Sequence, residues 1–200
     1  MKKISRPSQQ VSDSNEELKK TPFKALLAEI IETVSMSFIV LLLIFTLIAV
    51  PEKVDGASME PTLYDKERVL VEKVSKHFKP YRRGDIVVLH PPGHEQKEYV
   101  KRIVALPGED IKIFNCKVYV SNSDGKFELE EKYLFTDQCT TSGTRFRDGR
   151  SLHLEENEFF VLGDNRDVSQ DSRIFGIVQS EAIVGKVVFR FWPISDIMFF

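Results

Sequence analysis

The sequence predicts a mainly β fold: an antiparallel β-sheet or barrel-like domain preceded by one transmembrane helix. Three observations predict it. Residues 33–50 carry no charge and read TVSMSFIVLLLIFTLIAV. After Pro51 the apolar residues come in short runs rich in valine, isoleucine and phenylalanine, several alternating with period two. Glycine, proline, asparagine or aspartate separates these runs, and no comparable helical stripe follows.

Residues 1–25 are the expected disordered cytoplasmic tail. Up to residue 20 they are polar and mixed in charge, with too little apolar surface to offset the entropy of ordering. Residues 26–50 are the expected anchor. The uncharged run alone spans about 27 Å as a helix, slightly short of a ~30 Å hydrocarbon core. Leu26, Leu27, Ile30 and Ile31 complete the span, with Glu29 and Glu32 near the interface and Pro51 ending it. A buried helix of a soluble core would be amphipathic, whereas this run is apolar all round. A cleaved leader would be shorter and would end on small residues, which Ala49-Val50-Pro51 does poorly. Lys19, Lys20 and Lys24 before the span balance Lys53, Lys66 and Arg68 after it, so charge does not orient it. An inside amino terminus is expected because a long following domain translocates largely regardless of its charge.

Residues 51–200 are long enough for one sizeable core. Their candidate strands include Arg68–Val71, Asp85–Leu89, Val100–Leu106, Ile111–Phe114, Lys117–Val120, Phe159–Leu162 and Ile183–Trp192. Within this domain, residues 121–157 are polar and read as a variable excursion with turns at Asp124-Gly125 and Asp148-Gly149, and room for a short hairpin.

Composition removes several classes of function. Lysine and arginine number 28 against 30 acidic residues, with no basic block, so no nucleic-acid partner is expected. Cys116 and Cys139 are 23 residues apart and in no CxxC pattern, which leaves a disulfide and two free thiols equally open. His90 and His94 have the spacing of a helical zinc pair, but Pro91-Pro92 lies between them, so they are loop residues. Asp164, Asp167 and Asp171 lack the spacing and glycine of a calcium loop. No metal and no cofactor are expected.

Chemistry points to Gly56-Ala57-Ser58-Met59-Glu60-Pro61-Thr62-Leu63, just past the apolar run. Its small residues and proline put the Ser58 hydroxyl on tight, poorly covered backbone. A serine hydroxyl attacks only when a base takes its proton. Lys101, in Tyr99-Val100-Lys101-Arg102-Ile103-Val104-Ala105-Leu106-Pro107-Gly108, is the candidate. From a reference pKa near 10.4, only about one lysine in a few thousand is neutral at pH 7, so the amine must be dry. Strand alternation places Tyr99, Lys101 and Ile103 on one face and Val100 and Arg102 on the other, which allows a dry lysine while Arg102 points elsewhere.

Four blocks in order resemble the type I signal peptidases, the membrane-bound leader peptidases of the S26 family with a Ser/Lys dyad. They are Ser58–Leu63, Arg83-Gly84-Asp85-Ile86-Val87, Lys101–Glu109 and Gly163-Asp164-Asn165-Arg166-Asp167-Val168-Ser169-Gln170-Asp171-Ser172-Arg173. The resemblance covers most of residues 33–192 and omits the tail and the excursion. It implies Ser58 as acylating nucleophile and Lys101 as general base, with Ser169 orienting the lysine amine. Asp171, Arg173 and Arg102 match supporting charged positions. Gly56 stands where some members carry a hydroxyl that helps bind the oxyanion, so main-chain amides, that of Ser58 among them, would bind it here. The resemblance further implies a signal peptide of a secreted preprotein lying extended by the sheet. Met59, Leu63, Tyr99 and Val100 would then shape shallow pockets for its small residues. The implied location is the cell membrane, single-pass, with the catalytic domain extracytoplasmic; the aromatic carboxyl end, including Phe191, Trp192 and Phe200, would suit the lipid interface. Two rivals remain on sequence: a processing peptidase with other substrates on the same scaffold, and a membrane-anchored β-domain that binds peptides without cutting them. The start Met1-Lys2-Lys3, followed by acidic residues, is unlike a mitochondrial targeting sequence. A pure binder has no need of Ser58 and Lys101 together.

Overall fold

The structure, a computed structural model, describes residues 13–74 and 80–200. The first twelve residues of the expected tail lie outside the described residues. The chain divides after Thr46 into two compact units.

The first unit is a helix, α1 (Asp13–Leu47). Its segment Phe23–Phe45 has mean hydropathy 2.2 and no part of it is buried. Twenty-three residues at ~1.5 Å each cover a hydrocarbon core, so this one apolar helix fits a single-pass membrane protein. Both expected limits need correcting. The helix starts at Asp13, inside the stretch read as disordered, because Glu16, Glu17, Leu18, Lys19 and Lys20 are good helix formers continuous with an existing helix. It ends at Leu47 rather than residue 50. Pro51 disfavours helical geometry at the residue before it, and Ala49–Lys53 forms β1 instead.

The second unit is antiparallel β, as predicted. Its main sheet runs in the order β1, β2 (Arg68–Glu72), β11 (Ile183–Trp192), β3 (Ile86–Leu89), β4 (Tyr99–Ala105), β9 (Glu158–Leu162) and β10 (Val178–Gln179), with β12 (Met198–Phe199) on β11. The main sheet is open, with β1 and β10 at its two ends. Register pairs Val87 with Lys101 and Ile86 with Arg102, which sets the candidate lysine in mid-sheet. β3 is buried along its whole length and β4 from Lys101 onward. Met59 and Leu63 of the Ser58 segment share a core with Val54, Val69, Ile86 and Val187.

A second sheet, in the order β7 (Gly125–Glu128), β6 (Lys117–Asn122), β5 (Asp110–Phe114) and β8 (Ser151–His153), corrects the reading of residues 121–157 as an excursion from the core. The expected hairpin is there, with Asn122 opposite Gly125. The segment also contributes buried Phe146 and Leu154 to a core shared with Ile111, Ile113, Val118 and Phe160. Cys116 and Cys139 form a disulfide. A polar composition hid this because only a few residues of the segment point inward, and they are spaced too widely to show a period.

Candidate active site

The segment that carries Ser58 is fastened at both ends. Gly56, at a φ of 96° that favours glycine, donates its amide to Asp65 Oδ1 at 2.8 Å. Past the serine, the Leu63 amide reaches the Met59 carbonyl at 2.9 Å and the Asn165 amide donates to the Ser58 carbonyl at 3.0 Å. Downstream, buried Arg190 binds both oxygens of Glu67 at 3.1 and 3.0 Å and the Thr62 carbonyl at 3.1 Å. The Ser58 amide meets no acceptor among the described residues, so it is open to an oxyanion, whereas Asp65 occupies that of Gly56.

The lysine arrives from β4. Its Nζ lies 2.9 Å from Ser58 Oγ and donates to the Val100 carbonyl at 2.8 Å. Lys101 is 3% exposed. Burial pushes its pKa down from 10.5 to about 8, Asp171 and Asp164 pull it back up, and Arg173 lowers it. Among the described residues no carboxylate hydrogen-bonds to the amine, and those two aspartates are engaged elsewhere. Arg102 grips Asp164 through Nε and Nη2 at 2.8 and 2.6 Å, and Thr62 Oγ1 donates to the same carboxylate at 2.5 Å. Arg173 grips Asp171 through Nε and Nη2 at 2.8 Å each, and Asp171 also accepts from the Gly163 amide at 3.1 Å and caps α2 (Ser172–Phe175). Asp171 and Asp164 have fully buried side chains.

Ser169 is buried in the same place, but its hydroxyl has no hydrogen-bond partner among the described residues. The expected Ser169–Lys101 contact is therefore not made here; the amine is satisfied by Ser58 and Val100. The Ser169 hydroxyl lies over Gly163, where a Cβ would meet it at 2.2 Å and the Ser58 carbonyl oxygen at 2.5 Å. Gly163→Ala must therefore push the Ser58 segment or the 169 turn away. A displacement near 1 Å at a reacting group costs about 10²-fold in rate. We expect kcat to fall by about that factor with KM little changed; wild-type kcat in the purified variant would show that the contact has no hold on Ser58.

An open cleft of about 540 Å³ carries Ser58, Lys101, Met59, Tyr99 and Val100 on its lining. Tyr99 spans part of it, its hydroxyl donating to Gln170 Oε1 at 3.1 Å and its ring centroid 5.2 Å from Lys101 Nζ. Leu63 departs from the expectation for substrate contact. It is fully buried and does not line the cleft, since its position one helical-type turn past Met59 points it into the core. His90 and His94 lie in the β3–β4 connection, and no group of three or more metal-ligating side chains occurs among the described residues.

Sequence reasoning named Arg166 only as a letter in a block and missed its partners. Its side chain is wholly buried. Nε donates to the Gly163 carbonyl at 3.0 Å, Nη1 to Glu131 Oε2 at 3.1 Å, and further bonds go to Glu131 Oε1 and Thr140 Oγ1. A buried arginine demands such acceptors, but only the fold reveals that they come from the polar segment.

The family model described as signal peptidase, peptidase S26, matches residues 27–192. Signal peptidase IB of Staphylococcus aureus (strain Mu50 / ATCC 700699) is 34% identical over an alignment of 184 residues that covers 86% of this chain and 93% of that protein. Signal peptidase I of Leptolyngbya laminosa is 35% identical over an alignment of 176 residues that covers 84% of this chain and 81% of that one. A crystal structure of a signal peptidase I from Enterococcus faecalis V583 aligns with a TM-score of 0.43 at 27% identity, over 54% of this chain and 97% of that chain. With its match running from the apolar helix to the last long strand, the chain belongs to the signal peptidase family, peptidase S26.

Proposed function

We propose that the protein is a membrane-tethered serine endopeptidase that removes N-terminal signal peptides from exported preproteins, with Ser58 as nucleophile and Lys101 as general base. The observation that carries this is the 2.9 Å contact between a buried amine and a serine hydroxyl on the lining of a peptide-sized cleft. The neutral amine accepts the Ser58 proton as Oγ bonds to the scissile carbonyl carbon, and the Ser58 amide faces the developing oxyanion. Collapse breaks the C–N bond. The Lys101 ammonium returns its proton to the leaving amine, which becomes the new amino terminus of the mature protein. The signal peptide is left as an ester on Ser58. Water, giving a proton to Lys101, attacks that ester; the C–Oγ bond breaks, Lys101 returns the proton to Ser58 Oγ, and the signal peptide leaves with a carboxyl end. Ser169, Asp171, Arg173 and Arg102 hold the framework, while Met59, Tyr99 and Val100 meet the substrate.

The apolar helix supports a bilayer as the second partner. The Cys116–Cys139 disulfide supports an oxidising, extracytoplasmic side for the catalytic domain, with the amino terminus in the cytoplasm. A neutral lysine is the active form, so acidification through about pH 8 switches the base off. Preprotein cleavage in detergent should show kcat/KM rising about tenfold per pH unit below that value and levelling above it. Ser58→Ala should lose cleavage at every pH. A flat profile, or a cutting Ser58→Ala variant, would remove the proposed dyad.

A further inference from the structure

The polar segment does more than complete a sheet. From Glu131 to Thr140 it hydrogen-bonds to the Gly163–Arg173 strip. Glu131 and Thr140 both take hydrogen bonds from the Arg166 guanidinium, whose remaining Nε is spent on the Gly163 carbonyl. Gly163 leaves no room for even a methyl group between itself and the Ser58 carbonyl, and two residues on, the Asn165 amide holds that same carbonyl. Glu131 is fixed in turn by the Tyr133 hydroxyl at 2.7 Å, and the Tyr133 ring lies 4.1 Å from the Arg102 guanidinium carbon. The far end is fastened by covalent chemistry. Cys139 is bonded to Cys116 in the β5–β6 turn, and the Thr140 amide donates to the Cys116 carbonyl at 3.1 Å.

We propose that residues 131–140 form a disulfide-fastened positioning arm that sets the reach between Ser58 and Lys101, with Glu131 and Thr140 acting on the nucleophile through Arg166 and Gly163. The proposal rests on the reading of Ser58 as nucleophile. An arm of this kind acts on kcat and leaves substrate binding alone, because none of its residues lines the cleft. Glue for the domain would instead move only the melting point.

Thr140→Val and Thr140→Ser separate the two, since the methyl-for-hydroxyl exchange keeps the shape and the serine keeps the acceptor. Steady-state cleavage of a preprotein by full-length enzyme in detergent, well below each variant's melting point, is the measurement. Thr140→Val should lower kcat about 10- to 100-fold at nearly constant KM, and Thr140→Ser should restore most of it. The Cys116→Ser/Cys139→Ser double variant, which leaves every Arg166 partner in the sequence, should lower kcat in the same way. Wild-type kcat in both Thr140→Val and the double cysteine variant overturns the arm, as does an effect confined to KM or to melting. Ser58→Ala run alongside keeps the premises apart: activity there overturns the nucleophile, whereas its loss with both Thr140→Val and the double cysteine variant unaffected overturns the arm alone.

Discussion

Lys101→Met should yield a protein that no longer cuts preproteins and yet melts later than the wild type at neutral pH. The loss follows from the base: without an acceptor for the Ser58 proton, cleavage should fall by about 10³-fold or more. The gain follows from linkage. The lysine pKa stands at about 8 in the folded protein against 10.5 for an unburied one, so between those values the unfolded chain holds more protons. Stability therefore rises with pH across that window, and below about pH 8 the buried amine costs its full amount, about 3 kcal/mol for a shift of this size. Methionine has a similar length and no charge, and removes the cost. At roughly 2–4 °C per kcal/mol for a domain of this size, the midpoint should rise by about 5–10 °C at pH 7. The advantage should fade as pH approaches 10.5 and be gone well above it, where the wild-type lysine is neutral in both states. Calorimetry of the two proteins across that range is the check. A difference that does not change with pH would mean that the amine is not held neutral by its surroundings.

Asp171→Ala should be the most damaging single change to the fold. Its carboxylate is wholly buried and serves the Arg173 guanidinium, the Arg173 amide and the Gly163 amide together. Removing it takes the counter-charge from a buried guanidinium and the acceptor from two amide donors, and breaking a buried pair from one side costs about 3–5 kcal/mol. Against a total stability of roughly 5–15 kcal/mol, that is a large share. Urea denaturation should show it directly, and kcat should fall because Gly163 and the segment behind Ser58 lose a hold. Asp171→Asn offers a finer reading. It keeps the shape and removes a charge that raises the lysine pKa, so whatever activity remains should have its pH limb shifted to the acid side. A limb that stays in place would mean that Asp171 does not act on the amine.

Much of this was legible in the residues and some was not, for physical reasons. The apolar helix announces itself because eighteen uncharged residues have few other uses. Strands β3 and β4 show as valine-rich runs, and alternation along Tyr99–Ile103 is what sends Lys101 and Arg102 to different partners. Leu63 is not decided by the sequence, because a side chain five residues after Ser58 can face cleft or core, and only the turn through Met59 decides. The segment 121–157 was underrated since its structural weight rests on isolated positions: Phe146, Leu154, Glu131, Thr140 and Cys139. Pairings such as Arg166 with Glu131, or Arg190 with Glu67, join residues far apart in sequence and leave no periodic trace.

The Val100 carbonyl has a wider bearing. Residues 99–101 pair with β3 on one side only, since β9 joins β4 from Arg102 onward. The oxygen that would form the middle rung for an incoming strand is the one that holds the lysine amine. A guest chain laid along that margin would have to share the atom with its own executioner. Docking and proton affinity would thus meet at a single acceptor, so that how a peptide seats itself could be felt by the base before any bond is broken.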